Sequence, residues 1–141
     1  MKIEVSVVID RPPAVVFEFY VVNHVRNHPR WDPSIQLTQL TEGPVGVGTR
    51  IKRRHTRVGT PIEGIMEVVE LDPGKSMKAV IVDQTPGGPL EVHGRVTFEA
   101  VDGDRTKLTI ELDMPHFHSS MEPGLIEGGY RRIKELVETE T

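Results

Sequence analysis

Imidazole is the side chain best suited to moving protons near neutral pH, because its unperturbed pKa lies there. His28, His55, His93, His116 and His118 each stand in or beside a turn or a strand end. An imidazole so placed can act as a general base, meet an anionic ligand head or ligate a metal. His116 and His118 are two apart, so on extended backbone they share a face. Zinc would still need a third protein ligand, His28 or His93 being the candidates; no metal or other cofactor is expected. Solvated loop histidines account for the same letters.

Carboxylates and guanidiniums offer a second chemistry. Asp83, Glu63, Glu67, Glu91, Arg53 and Arg95 fall on strands, where alternation sends half of each set outward. A buried arginine with a carboxylate partner could orient a ligand's oxygen atoms. Cross-strand pairs on the solvent face are the commoner arrangement. Gly43-Pro44-Val45-Gly46-Val47-Gly48 precedes a strand, so no helix N-terminus is there to hold a phosphate, and it reads as a turn. Ser119 and Ser120 lie close to His116 and His118, but no nucleophile elbow surrounds them and helix capping is their better role. Trp31 could stack on a ligand, although a tryptophan beside a proline more often anchors a loop. With no cysteine in the chain, disulfides, thiolate metal sites and a cysteine nucleophile are excluded.

These residues must be positioned by 141 residues, one domain's worth, spanning 1–141. A net charge of −4 leaves no overall basic footprint for nucleic acid. The local concentration of Arg50, Lys52, Arg53, Arg54 and Arg57 reads as a strand with solvated positions. Lys2, Glu4 and Asp10 do not suit a secretory signal, so none is expected in the first ten residues, and no apolar run is long enough to span a membrane. A soluble cytoplasmic protein is expected.

Ile3, Val5, Val7 and Ile9 alternate as a strand. Pro12-Pro13 opens a short helix to about Val22, and Asn23 caps a second short turn that Pro29 stops. Strands then follow at 35–40, 49–57, 60–71, 77–83, 90–101 and 105–114, with 84–89 as a loop and Asp102-Gly103-Asp104 as a hairpin turn. From Ser119 to about Glu138 an apolar stripe of Met121, Leu125, Ile126, Tyr130, Ile133, Leu136 and Val137 marks a long helix. Gly124, Gly128 and Gly129 weaken that helix, which points to a bend or to a surface lying close to something.

The order and the local text resemble the START-like, or SRPBCC, superfamily. Val7-Val8-Ile9-Asp10-Arg11-Pro12-Pro13 followed by Val16-Phe17-Glu18-Phe19 is similar to its strand-to-helix opening. Asn27-His28-Pro29-Arg30-Trp31-Asp32-Pro33 resembles its tryptophan turn, Gly43 to Thr49 its glycine turn, and Phe98-Glu99 with Asp102 to Thr109 its final hairpin. The most similar branch contains small bacterial proteins described as polyketide cyclase/dehydrase or lipid-transport-like.

The resemblance implies an α+β helix-grip fold. A seven-stranded curved antiparallel sheet wraps a long C-terminal helix, with two short helices between strands one and two. It also implies a cavity between sheet and helix, with the five histidines near one mouth. Met66, Met77, Ile81, Val96, Phe98, Ile110, Leu112, Met121 and Leu125 are the expected wall; Trp31, His55, His93, His116 and His118 complete the candidate ligand site. The expected function is binding of a small, largely apolar ligand that is lipid-, polyketide- or aromatic-like. The alternative is a polyketide cyclase/dehydratase-type enzyme using a histidine or carboxylate for proton transfer, and a weaker reading is a protein-interaction domain. Inward ionisable groups in mutual contact would favour the enzyme, and a wholly apolar interior would favour binding. No nucleic-acid partner and no integral membrane segment are expected, and the chain is read as a monomer or homodimer.

Overall fold

The computed structural model describes residues 2–57, 59–115 and 123–141, with the side chains of α3 described from residue 126 onward. Strand β1 (Lys2–Ile9) leads into helix α1 (Pro13–Phe17), a π-helical turn (Glu18–Val22) and α2 (His24–Trp31). Six strands follow: β2 (Ile35–Gln39), β3 (Arg50–His55), β4 (Ile62–Asp72), β5 (Ser76–Thr85), β6 (Gly88–Ala100) and β7 (Thr106–Asp113). Helix α3 (Pro123–Glu140) comes last. The curved sheet is antiparallel throughout, in the order β1-β7-β6-β5-β4-β3-β2.

Short turns explain that order. Each strand from β3 to β7 folds back on its predecessor, and β1 closes on β7 as an edge. The alternation in β1 buries Ile3, Val5 and Ile9 and leaves Lys2, Glu4 and Ser6 outward. Those inward residues meet Val16, Phe17 and Tyr20 from the first helical segment, Phe98 and Leu108 from the sheet, and Tyr130, Ile133 and Val137 from α3. Full burial of each such side chain stabilises by roughly 1.5–3 kcal/mol. Polar clasps fix α3 along the β1 edge: Lys134 Nζ donates to the Val8 carbonyl at 2.9 Å, and the Asp10 N–H donates to Glu138 Oε2 at 2.8 Å.

Three local expectations are corrected. Pro29 does not stop α2, which runs on to Trp31. Proline removes one i→i−4 bond, yet the Asp32 N–H still reaches the His28 carbonyl at 3.0 Å, and burial of Trp31 holds the last turn. Asn23 stands at the N-cap of α2, but its side chain does not cap; it reaches back to the Glu18 carbonyl at 3.4 Å. Residues 84–89 are not a loop: β5 and β6 pair to their ends, with Thr85 opposite Gly88, and the turn between them is Pro86-Gly87. Gly88 takes a φ of 114°, open to glycine, to close it. The last helix is described from Pro123 to Glu140, two residues past the expected end; its expected start at Ser119, with the caps Ser119 and Ser120, lies outside the described residues.

Candidate functional site

Alternation on β3 turns Ile51, Arg53 and His55 to the inner face of the sheet, while Arg50, Lys52 and Arg54 face solvent. On β4 the inner residues are Ile62, Gly64, Met66 and Val68, and on β5 they include Asp83 and Ile81. Register then builds two cross-strand rows. One runs Leu37, Arg53, Gly64, Asp83, Leu90. Its neighbour runs Gln39, Ile51, Met66, Ile81, Val92 and is largely apolar. A polar row thus lies beside an apolar one on the same inner surface.

Glycine makes the polar row possible. Arg53 and Asp83 stand on strands two apart, roughly 10 Å between backbones, with Gly64 between them. A Cβ at Gly64 would sit 2.0 Å from Asp83 Oδ1. Without one, the carboxylate leans across, and Arg53 Nε comes within 3.1 Å of Asp83 Oδ1. His55 Nε2 lies 3.6 Å from the other carboxylate oxygen. Arg53 is 7% exposed and Asp83 5%. The contact is an ion pair rather than a directed hydrogen bond: Arg53 Nε, His55 Nδ1 and Asp83 Oδ1 are all buried without a hydrogen-bond partner. Buried polar atoms left this way are costly and call for explanation.

Helix α2 brings two more imidazoles to this side of the molecule. His24 Nδ1 lies 2.8 Å from the Tyr20 carbonyl oxygen, which can only accept, so Nδ1 carries the proton. Burial lowers the His24 pKa to about 4, and the Arg53 charge adds to the effect, so the ring is neutral and its Nε2 is a lone pair. His28 Nδ1, 3.1 Å away, must therefore donate to it. His28 is left with an unprotonated Nε2. Burial holds its pKa well below 6.5, helped by His24, Arg53 and Arg57. His55 is lowered by burial first, then by Arg57 and Arg53, with Asp83 opposing. Burial also pushes Arg53 below its ordinary value while Asp83 works against it; a guanidinium remains charged nonetheless. Arg57 Nη2 pairs with Asp32 Oδ2 at 2.5 Å.

Trp31 is buried and stacks on both His28 (4.8 Å between centroids) and Tyr20 (5.1 Å). It also touches α3, where a Cβ on Gly129 would meet Trp31 Cδ1 at 3.4 Å. This is the close surface that a glycine within the helix pointed to. Tyr20 and Tyr130 join the two helical layers through a buried hydroxyl pair at 3.0 Å.

The sequence-derived candidates are divided by this geometry. Met66, Met77, Val96 and Phe98 are buried, and Ile81, Ile110 and Leu112 are partly buried beside the core. His28 and His55 stand with the inner polar groups. His93 does not: its neighbour Val92 faces inward, so strand alternation puts His93 on the outer face, 3.6 Å from Glu91. There it borders a depression of about 630 Å³ lined mainly by outward charged residues such as Lys2, Lys78, Arg95 and Glu111. His116, His118 and Met121 lie outside the described residues, as does the side chain of Leu125. Among the described residues, no three His, Asp or Glu side chains group as a metal site. Sequence reasoning missed His24, although its i,i+4 spacing to His28 was a usable signal. It also missed Gly64, whose place inside a strand marks a close approach.

Comparison with known proteins agrees with this architecture. No curated protein sequence matches the chain. Among solved structures it is similar to a conserved protein from Geobacillus kaustophilus, with a TM-score of 0.80, 14% identity, and coverage of 99% of this chain and 97% of that one. A START superfamily protein from Mycobacterium smegmatis gives 0.76 at 14% identity, covering 99% of each chain. The protein Ara h 8.0201 gives 0.72 at 20% identity, covering 99% of this chain and 98% of that one. At these identities the likeness is one of fold. A family model matches residues 1–138, and the chain belongs to the family described as polyketide cyclase / dehydrase and lipid transport.

Proposed function

We propose that this protein holds a small, largely apolar molecule against the inner face of its sheet, with its polar end at the Arg53–Asp83–His55 cluster. One observation carries the reading. Three buried polar atoms lack hydrogen-bond partners beside a row supplied by Ile51, Met66 and Ile81. A molecule with an apolar body and a polar tip satisfies both surfaces at once. Membership of a family that includes lipid-transport proteins supports the reading.

A second reading has an observation of its own. The inner face carries ionisable groups in mutual contact, and His28 offers an unprotonated Nε2 held in one tautomer by His24. Those are the parts of a proton-transfer site on a polyketide-like substrate.

Native mass spectrometry of protein purified from its own host tests both readings. A co-purifying molecule lost on Arg53→Met, while circular dichroism is unchanged, supports binding at the cluster. If an authentic sample of that molecule is returned chemically altered after incubation, the enzyme reading takes over. A molecule retained by Arg53→Met removes the cluster from the site.

A further inference from the structure

We propose that the polar end of the ligand is electrically neutral, a hydroxyl, phenol or carbonyl rather than a carboxylate or phosphate. The inference rests on the reading that the ligand meets the Arg53–Asp83–His55 cluster, and it follows from a count of charges there.

Arg53 is matched by Asp83 at 3.1 Å, and Arg57 by Asp32 at 2.5 Å. Each cation already has its anion. The imidazoles do not add positive charge. His24 and His28 share one directed hydrogen bond between a protonated and an unprotonated nitrogen, with the chain ending on the Tyr20 carbonyl. Two arginines nearby oppose protonation of His28 and His55. An anionic head entering here would give up its hydration, face the Asp83 carboxylate and find no unmatched cation. Like charges brought together at a binding surface are a strong basis for rejection.

A neutral head meets the opposite situation. The unprotonated Nε2 of His28 makes no hydrogen bond among the described residues and can accept from a hydroxyl. The Arg53 guanidinium has donors beyond the Nε facing Asp83, and it can donate to a carbonyl or hydroxyl oxygen without leaving its partner. His55 Nδ1, buried and unpartnered, adds one more polar contact. The arrangement is one of donors and acceptors in balance, not of excess charge.

Asp83 is therefore the residue that sets the preference, and its removal should reverse it. Matched probes differing only at the head isolate the effect: dodecanol against dodecanoate, and naphthol against naphthoate, each measured by displacement of a fluorescent apolar dye at pH 7.5. The wild-type protein should bind the neutral member of a pair at least about tenfold more tightly. Asp83→Asn, which keeps the side-chain shape and frees the Arg53 charge, should raise carboxylate affinity relative to the alcohol by about tenfold or more. A wild-type preference for the carboxylate overturns the inference whatever the variant does. An unchanged ratio in folded Asp83→Asn overturns it too. Failure of all four probes to bind counts instead against the apolar-ligand reading itself, and takes this inference with it.

Discussion

Gly64 shows how one missing side chain organises a site. Its Cβ position falls 2.0 Å from Asp83 Oδ1 and also 2.5 Å from the Val82 carbonyl oxygen. Gly64→Ala must push both Asp83 and the β5 backbone away. Overpacking and loss of a buried ion pair combine, so a destabilisation of about 2–4 kcal/mol is expected by urea denaturation. Asp83→Ala removes the side-chain part of the clash, so the double variant should lose less than the sum of the singles; strict additivity would mean that Gly64 does not act on Asp83. From sequence, Arg53 and Asp83 were only two of several charges on strands. What distinguishes them from Glu63 and Glu67, which are exposed and pair outward with Arg54 and Arg50, is the face they take. Face depends on register, and register is set by partners far along the chain.

At the scale of elements, the helices are joined by polar contacts that hydrophobic pattern does not announce. The hydroxyls of Tyr20 and Tyr130 pair at 3.0 Å with both rings buried. Burial pushes Tyr20 up to about 12 and Tyr130 well above its ordinary value, so both stay protonated and the bond persists across the working pH range. Tyr130→Phe leaves the Tyr20 hydroxyl buried and alone, an expected loss of about 1–2 kcal/mol. Tyr20→Phe should cost a similar amount, and the double variant distinctly less than the two together; independent losses in thermal melts would show that the pair is not a unit. Strands and the long helix were legible because period two and period 3.6 are local signals. Pro29 was misread for the complementary reason. Its local preference against helix was outweighed by burial of Trp31 beneath α3, a contact between residues about a hundred positions apart.

Across the whole molecule, the fold followed from element order and turn text, whereas the site depended on which residues meet across the interior, and its buried histidines now make stability depend on pH. The His24 pKa falls from 6.5 to about 4 on folding, and His28 and His55 shift in the same direction. Above pH 6.5 these rings are neutral in both the folded and the unfolded chain. As pH falls below that, the unfolded chain takes up protons that the folded interior refuses, and stability declines until the folded pKa is reached. Asp32, Glu138 and Glu140 are shifted down as well, but their contributions are lost only as pH falls below the ordinary carboxylate range. The interval from pH 7 to pH 5 therefore belongs to the histidines. His24 alone should cost about 2 kcal/mol of stability across it. Urea midpoints measured at intervals through that range should fall for the wild-type protein. His24→Asn retains a donor for the Tyr20 carbonyl but cannot titrate, so its midpoint should fall less steeply. Parallel slopes for the two proteins would place the titrating group elsewhere and remove the buried neutral imidazole pair from the account of this interior.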